Sequence, residues 1–222
     1  MRGMASKWSK TTVLASPPAA PAAPDPDLAR FRALIDRAAP PGVRFGAILA
    51  DPPWRYDDTG TRLAPKYPTL SVNQLMALGP DIRRRLASPA HLYVWATAPL
   101  LPEAIWVLRA WGGEYKSNLV WAKTSAAGRP KIGGGHYVRV AHEHVLFGCT
   151  EGAILTARDR GVPSWFAESP GVHSAKPEIL QSFVERISPG PYLELFARRH
   201  RMGWTCVGDQ LPVIGGADDR SR

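Results

Sequence analysis

Cysteine and long apolar runs are what this sequence has least of. Two of its 222 residues are cysteine, Cys149 and Cys206, which excludes a disulfide framework and a cysteine-rich zinc module. No stretch approaches the roughly 20 consecutive apolar residues that a membrane-spanning helix requires. The basic N-terminus is followed by alanine and proline rather than by the apolar segment of a secretory signal. We therefore expect a soluble, cytoplasmic protein with no membrane anchor.

Acidic residues are also in short supply. The chain has 28 Lys and Arg against 19 Asp and Glu, for a formal net charge of +9. Few of these charges lie near the two ends of the chain, so most of the surplus lies on the part between. A basic surplus suits a polyanionic partner such as nucleic acid, although it is also common in proteins without one.

The composition predicts one domain between two tails. Ten of the twelve residues from Ala15 to Pro26 are Ala or Pro, and such a tract has little to bury, so residues 1–26 are predicted to be a disordered tail. Residues 214–222 are polar and small and are predicted to be a flexible tail. Residues 27–213, between the two tails, are predicted to form one folded domain, and their number is typical of a single domain.

Apolar runs and helical patterns alternate along the predicted domain. Phe45–Ala50 is a short apolar run that ends at two prolines, as a buried strand would. Similar runs occupy residues 91–96, 118–122, 144–147, 191–197 and 204–207. Helices are predicted after a capping box of Ser71 and Gln74, over residues 101–111, and over residues 177–188. This alternation predicts an α/β sheet with helices on both faces, and ligands in such sheets bind beyond the carboxyl ends of the strands.

The tetrapeptide Asp51-Pro52-Pro53-Trp54 directly follows the first predicted strand. The Asp51 carboxylate can accept a hydrogen bond from an amino group, and the Pro52 carbonyl can be a second acceptor because Pro53 has no amide hydrogen. Residues before proline favour extended geometry, which stiffens the segment, and Trp54 offers a flat face for stacking. Together they would form a clamp for an exocyclic amine. The alternative is an ordinary strand-to-turn corner with a tryptophan in the core.

Asp-Pro-Pro-Trp resembles the catalytic motif of amino-methyltransferases, in particular that of the MT-A70 family of adenine N(6)-methyltransferases. Further segments resemble that family in the same order along the chain, and the likeness covers roughly residues 44–212. These segments are residues 66–71, 92–97, 120–124, 135–137, 142–144, 173–178, 188–190, 194–198 and 208–211.

The resemblance implies a Rossmann-like, S-adenosylmethionine-dependent methyltransferase fold with a permuted motif order, in which the catalytic loop precedes the cofactor half. The sheet would be mixed but mostly parallel. The methyl donor would be S-adenosyl-L-methionine, and the acceptor would be the 6-amino nitrogen of adenine in nucleic acid. No metal is needed for this reaction.

The resemblance also implies roles for individual residues. The catalytic residues would be Asp51, Pro52, Pro53 and Trp54, and the substrate-binding residues would be Tyr67, Trp121 and Lys123. The cofactor-binding residues would be Asp51, Lys176, Glu194, Leu195, Phe196, Arg198, His200, Asp209 and Gln210. Two positions depart from the family: Asp209 replaces an asparagine, and Arg201 stands where an asparagine is usual.

Other interpretations stay open. The His-x-His of His142 and His144, with His136, Glu143 and His173, could belong to a metal enzyme. The chain could also be an inactive, nucleic-acid-binding partner subunit of a methyltransferase, although the intact tetrapeptide and Glu194 favour an active enzyme. A homodimer or a partner methyltransferase-like subunit is possible. Both DNA and RNA present the same adenine edge, and the compact chain slightly favours DNA.

Overall fold

The computed structural model describes residues 25–56, 68–135, 137–152, 157–171 and 175–212. Its strands are β1 (Phe45–Ala50), β2 (Leu86–Ala96), β3 (Glu114–Lys123), β4 (His142–Cys149), β5 (Trp165–Glu168), β6 (Tyr192–Leu195) and β7 (Trp204–Val207). Its α-helices are α1 (Pro26–Ala38), α2 (Val72–Ala77), α3 (Gly79–Arg83), α4 (Leu101–Ala110) and α5 (Ile179–Ile187). In these described parts of the chain, each helix is too short or too polar to cross a membrane.

The strands form one seven-stranded sheet in the order β5-β3-β4-β2-β1-β6-β7. Strand β4 runs antiparallel to both of its neighbours, and the other four pairs are parallel. The prediction of a mixed, mostly parallel α/β sheet is therefore confirmed. Strand β1 lies between two parallel partners and is buried along its whole length, which its apolar sequence anticipates.

Helices cover both faces of the sheet. On one face, Ile48 and Ala50 of β1 belong to a core cluster that includes residues of α1, α2, α3 and α4. On the other face, Ala47 and Leu49 belong to a cluster with Leu180, Phe183 and Val184 of α5. Alternate residues of an extended strand point to opposite faces, so a six-residue apolar run supplies both cores.

The helix boundaries follow local signals. Ser71 and Gln74 form the predicted capping box at the start of α2. Helices α4 and α5 lie within the ranges predicted for them. Helix α1 was not predicted: the Asp25 side chain accepts a hydrogen bond from the Leu28 amide at 3.1 Å, and Pro26 occupies the first turn.

The two predicted tails fall almost wholly outside the described residues. Residues 1–24 and 213–222 are among those the structure does not describe. Residues 25 and 26, assigned to the N-terminal tail from composition, instead begin α1. The correction has a simple physical reason: Asp-Pro is also a helix-start signal, and the apolar residues that follow give the helix a face to bury.

Candidate active site

The Asp51-Pro52-Pro53-Trp54 corner lies at the carboxyl end of β1, beside the carboxyl end of β6. The Asp51 amide donates to the Leu195 carbonyl at 3.3 Å, which anchors the corner to the neighbouring strand. The Trp54 amide donates to the Pro52 carbonyl at 2.9 Å, a three-residue turn with Pro53 at its centre. The Pro52 carbonyl is therefore already engaged, contrary to the expectation of an open acceptor, and its second lone pair is what a substrate could use.

Trp54 supports the corner from the core. Its side chain is 7% exposed, and its indole N–H donates to the Trp95 carbonyl at 3.0 Å. The structure thus corrects the expectation that this ring is an open plate for a base. The ring borders the cleft but is held in the core, and its main effect is to fix the direction of the tetrapeptide.

Asp51 is at one end of a row of four side chains whose charges alternate in sign. The Lys176 ammonium lies 2.9 Å from Asp51 Oδ1 and 3.3 Å from Glu143 Oε2, and the Lys123 ammonium lies 2.5 Å from Glu143 Oε1. Burial alone would lower the pKa of Lys176, but the two carboxylates outweigh burial and raise its pKa. Lys176 therefore stays protonated beside Asp51. Its ammonium also lies 5.4 Å from the centre of the Trp95 ring.

From sequence, Glu143 lies in a segment that resembles the family, and the one individual role considered for it was that of a possible metal ligand. In β4 it points to the face opposite its neighbours His142 and His144, because side chains alternate along a strand. Its carboxylate bridges the two lysines instead. Because side chains alternate along a strand, the sequence could have indicated that Glu143 faces away from His142 and His144. Nothing in the sequence indicates that Lys123 and Lys176 lie beside Glu143.

Two pockets meet at the Asp51 corner and share Asp51, Pro53 and Arg198 in their walls. The first, which we call the lysine pocket, has a volume of about 150 Å³ and is also lined by Trp54, Trp95, Glu143 and Lys176. The second, which we call the α1 pocket, has a volume of about 30 Å³ and is also lined by Phe196, Asp209 and Gln210. Asp51 is thus exposed to both sides of the site.

Helix α1 closes the α1 pocket. Its residues Asp27, Arg30 and Phe31 form part of the pocket wall. The Phe31 and Phe196 rings lie 4.2 Å apart, and Arg30 forms an ion pair with Asp209 at 3.8 Å. Phe196 has a φ of 63°, a conformation that an aromatic residue rarely adopts and that is often found at functional sites. The α1 residues were missed from sequence because their segment was not recognised as a helix.

Glu194 lies near the end of β6, on the face of the sheet that α5 covers. Burial, with a smaller contribution from the charge of Asp51, raises the pKa of Glu194 to about 7 despite the opposing hydrogen bond from Gln181. A carboxylate or carboxyl at a strand end can accept hydrogen bonds from ribose hydroxyls. The geometry is compatible with the role predicted for Glu194.

Other predicted cofactor residues divide into two groups. Lys176, Phe196, Arg198, Asp209 and Gln210 all line one of the two pockets. The Leu195 side chain is fully buried in the core, so its contribution to the site is the backbone carbonyl that anchors Asp51. His200 is exposed and donates through Nε2 to the Pro212 carbonyl at 2.9 Å, outside the walls of both pockets.

The predicted substrate residues also differ in outcome. Trp121 is 2% exposed and packs in the core against Trp95, and its indole N–H donates to the Glu168 carbonyl at 2.9 Å. The expectation that Trp121 lines the substrate cleft is therefore corrected. Lys123 reaches the site through Glu143, as described above, and Tyr67 lies outside the described residues.

The part of the chain that the structure describes gives no support to the metal-enzyme interpretation. There, no group of three His, Cys, Asp or Glu side chains is placed to hold a metal ion. The His142 and His144 rings meet edge to face at 4.9 Å, and Asn118 Nδ2 lies 3.0 Å from His144 Nδ1. His136 and His173 lie outside the described residues.

A mostly parallel sheet with helices on both faces, and a two-part site beyond the carboxyl ends of its strands, define a Rossmann-like α/β domain. The profile of the MT-A70 family matches residues 45–210, which is most of the chain. The chain belongs to the MT-A70 family, as the resemblance of its motifs implied. This is a family of methyltransferases whose methyl donor is S-adenosyl-L-methionine.

Curated relatives agree with this assignment. The chain is 31% identical over 176 residues to the N(6)-adenosine-methyltransferase MT-A70-like protein of Drosophila melanogaster, a match that covers 77% of this chain and 28% of that protein. It is 28% identical over 185 residues to the human N(6)-adenosine-methyltransferase catalytic subunit METTL3, covering 77% of this chain and 29% of that protein. The chain thus spans less than a third of the length of these two relatives.

A third relative is closer in size. The chain is 30% identical over 195 residues to the type II methyltransferase M.MunI of a Mycoplasma species, a match that covers 78% of this chain and 80% of that protein.

Proposed function

We propose that this chain transfers the methyl group of S-adenosyl-L-methionine to the 6-amino nitrogen of adenine in nucleic acid, and that DNA is its substrate rather than RNA. The observation that carries the proposal is that Asp51 is shared by the lysine pocket and the α1 pocket. A transferase needs one group that faces both donor and acceptor, and Asp51 occupies that position. Family membership and the relatives named above support the acceptor atom.

The side chains near the Asp51 corner carry the kinds of functional group that a nucleoside cofactor needs. In the α1 pocket, Asp209 and Gln210 offer an acceptor and an amide for hydrogen bonds, and Phe196 offers an aromatic face. Glu194 lies outside the walls of that pocket, on the face of the sheet that α5 covers, and offers an acceptor for ribose hydroxyls. When bound, S-adenosyl-L-methionine supplies an electrophilic methyl group on a sulfonium. Arg201, which stands where the family has an asparagine, is turned towards α5 and pairs with Glu185 at 2.9 Å.

The lysine pocket fits the amine that accepts the methyl group. The lone pair of an adenine amino nitrogen is delocalised into the ring, which makes the nitrogen a poor nucleophile. The Asp51 carboxylate and the second lone pair of the Pro52 carbonyl can each accept one hydrogen of the amine, which favours a more tetrahedral nitrogen. Because the corner is anchored by Leu195 and Trp54, both acceptors are already in place when the reaction begins.

Charge around Asp51 supports this role. The amino nitrogen becomes positive during transfer, and a fixed carboxylate stabilises that charge. Asp51 does not have to be a strong base, since the nitrogen loses a proton readily once it is methylated. Lys176 keeps Asp51 in one orientation at 2.9 Å, and Glu143 in turn holds Lys176 at 3.3 Å. Positioning of this kind can contribute several kcal/mol to catalysis.

One observation supports DNA as the substrate. The match to the DNA methyltransferase M.MunI covers 80% of that protein, whereas the matches to the two adenosine methyltransferases cover less than a third of each. The net charge of +9 suits either polyanion.

In a duplex, the target adenine would have to leave the stack, at a cost of a few kcal/mol. A second copy or a partner subunit would supply sequence recognition if the chain alone shows none.

The direct test is to incubate the protein with tritiated S-adenosyl-L-methionine and with DNA and RNA pools matched in sequence, then to identify labelled nucleosides by mass spectrometry. We expect label in N(6)-methyladenine, mostly from DNA. Label in RNA alone would overturn the substrate preference, and label confined to cytosine would overturn the acceptor. Absence of label with intact nucleic-acid binding would favour an inactive partner subunit.

A further inference from the structure

Glu194 is held by a buried amide on α5. Gln181 is 3% exposed, and its Nε2 donates to Glu194 Oε2. Among the described residues, Glu194 Oε1 accepts no hydrogen bond. Within the described parts of the chain, one oxygen of the carboxyl group is therefore engaged and the other accepts no hydrogen bond.

The direction of the Gln181 amide is set by Arg201. The Arg201 Nη1 group donates to Gln181 Oε1 at 3.5 Å. A guanidinium has donors and no acceptor, so the group of the amide that faces it must be the oxygen. The NH₂ group must then face Glu194, which is the orientation that a carboxylate acceptor requires.

Arg201 is itself fixed by α5. Its Nε and Nη2 groups donate to the two oxygens of Glu185 at 2.9 and 3.0 Å, and Nη2 also lies 3.2 Å from Ser182 Oγ. A two-point contact of this kind fixes the plane of the guanidinium as well as its position. The Trp204 indole N–H donates to the same Glu185 at 2.7 Å. Arg201 therefore cannot turn away from Gln181 without breaking several contacts.

We propose that Gln181 and Arg201 are positioning residues for the cofactor's ribose. Arg201 fixes the direction of the Gln181 amide, and the amide holds Glu194 so that Oε1 accepts hydrogen bonds from the ribose hydroxyls. This inference rests on the proposed function, because it takes a nucleoside cofactor as the ligand of Glu194. It also gives a role to Arg201, one of the two residues that stand where the family has an asparagine.

The test measures binding of S-adenosylhomocysteine, the product form of the cofactor, by calorimetry. Gln181→Leu should weaken binding about tenfold, the effect of losing one well-placed charged hydrogen bond. At saturating cofactor the methyl-transfer rate should stay within about twofold, since the change affects binding rather than the reacting atoms. Ser182→Ala is the matched control: it removes a contact of Arg201 but none of Glu194, and its affinity should equal that of the wild type.

A double-mutant cycle separates positioning from a general structural role. In a Glu194→Ala background the ribose contact is gone, so adding Gln181→Leu should cause no further loss of affinity. Arg201→Met, which leaves the Gln181 side chain intact, provides a second variant and should weaken binding about threefold.

Two results would overturn the inference. Equal losses from Gln181→Leu with and without Glu194 would show a structural role only, and an unchanged affinity in both Gln181→Leu and Arg201→Met would show no role. If the wild-type chain itself binds no S-adenosylhomocysteine, the proposed function fails, and this inference fails with it.

Discussion

At the scale of single residues, the site depends on a few ionisable groups whose neighbours decide their charge. Lys176 stays cationic because two carboxylates outweigh its burial, and it thereby holds Asp51 in place. Glu194 shows the opposite balance, since burial dominates and raises its pKa to about 7. The balance between burial and neighbouring charge thus gives a fixed cation on the acceptor side and a protonatable carboxyl on the cofactor side.

The raised pKa of Glu194 predicts a pH-dependent stability. Below pH 4.5, its usual pKa, the carboxyl is protonated in both the folded and the unfolded chain, and between 4.5 and about 7 only the folded chain keeps the proton. Folding therefore loses stability as pH rises through this window, by about 3 kcal/mol for this residue. Glu194→Gln cannot titrate, so the difference in unfolding free energy between wild type and variant should change by about that amount.

Urea denaturation of both proteins at a series of pH values checks this prediction. The two stability curves should diverge between pH 4.5 and 7.5 in the stated direction. Curves that stay parallel across this range would show that Glu194 ionises normally in the folded chain.

At the scale of elements, the turn between α5 and β6 is packed directly against β1. A Cβ atom at Gly46 would lie 2.4 Å from the Pro189 carbonyl oxygen and 2.8 Å from that of Gly190. These are backbone atoms, which cannot move aside as a flexible side chain could. Glycine at position 46 therefore allows the turn before β6 to approach β1, whose carboxyl end carries Asp51.

This packing predicts that Gly46→Ala is destabilising. The added methyl group forces a backbone shift, and overpacking of this kind costs about 1–3 kcal/mol. Gly134→Ala is the control, because a Cβ atom there would meet nothing within 4 Å. Denaturant unfolding of the two variants should show the loss at position 46 only; equal stabilities would mean that the turn accommodates the methyl group.

The elements also show what the sequence could and could not predict. Strand β1 was predictable because its short apolar run ends at two prolines. Helix α5 was predictable because its apolar residues form one stripe between recognisable start and stop signals. The short edge strand β5, with Trp165 exposed, gives no such pattern and was missed. Helix α1 was missed because its start adjoins a tract of alanine and proline whose composition dominates the interpretation.

Within the site, local motifs were predictable and long-range contacts were not. The position of Asp51 at a strand end follows from the sequence around it. The bridge from Lys176 through Glu143 to Lys123 joins residues far apart in the chain, which only the fold brings together. For aromatic residues such as Trp121, the sequence alone does not separate a core position from a cleft wall, and here the core position is observed.

At the scale of the whole molecule, the sheet brings the two halves of the family's motifs to one edge. The Asp-Pro-Pro-Trp corner follows β1, and the cofactor half begins with Lys176 and continues through β6 and β7. Because β1 and β6 are parallel neighbours, their carboxyl ends meet although well over a hundred residues separate them in sequence. The permuted order of the motifs is therefore compatible with one compact site.

The most direct test of the account is the single-turnover rate of methyl transfer by Asp51→Asn, measured at saturating S-adenosyl-L-methionine. Asparagine keeps the size of the side chain but removes the negative charge. We predict a rate at least about 100-fold below that of the wild type, the usual effect of losing one fixed group that stabilises developing charge. The variant should still fold cooperatively, at a lower unfolding midpoint, because Lys176 loses one of its two carboxylate partners. A variant that folds normally and transfers methyl groups within threefold of the wild-type rate would contradict the account.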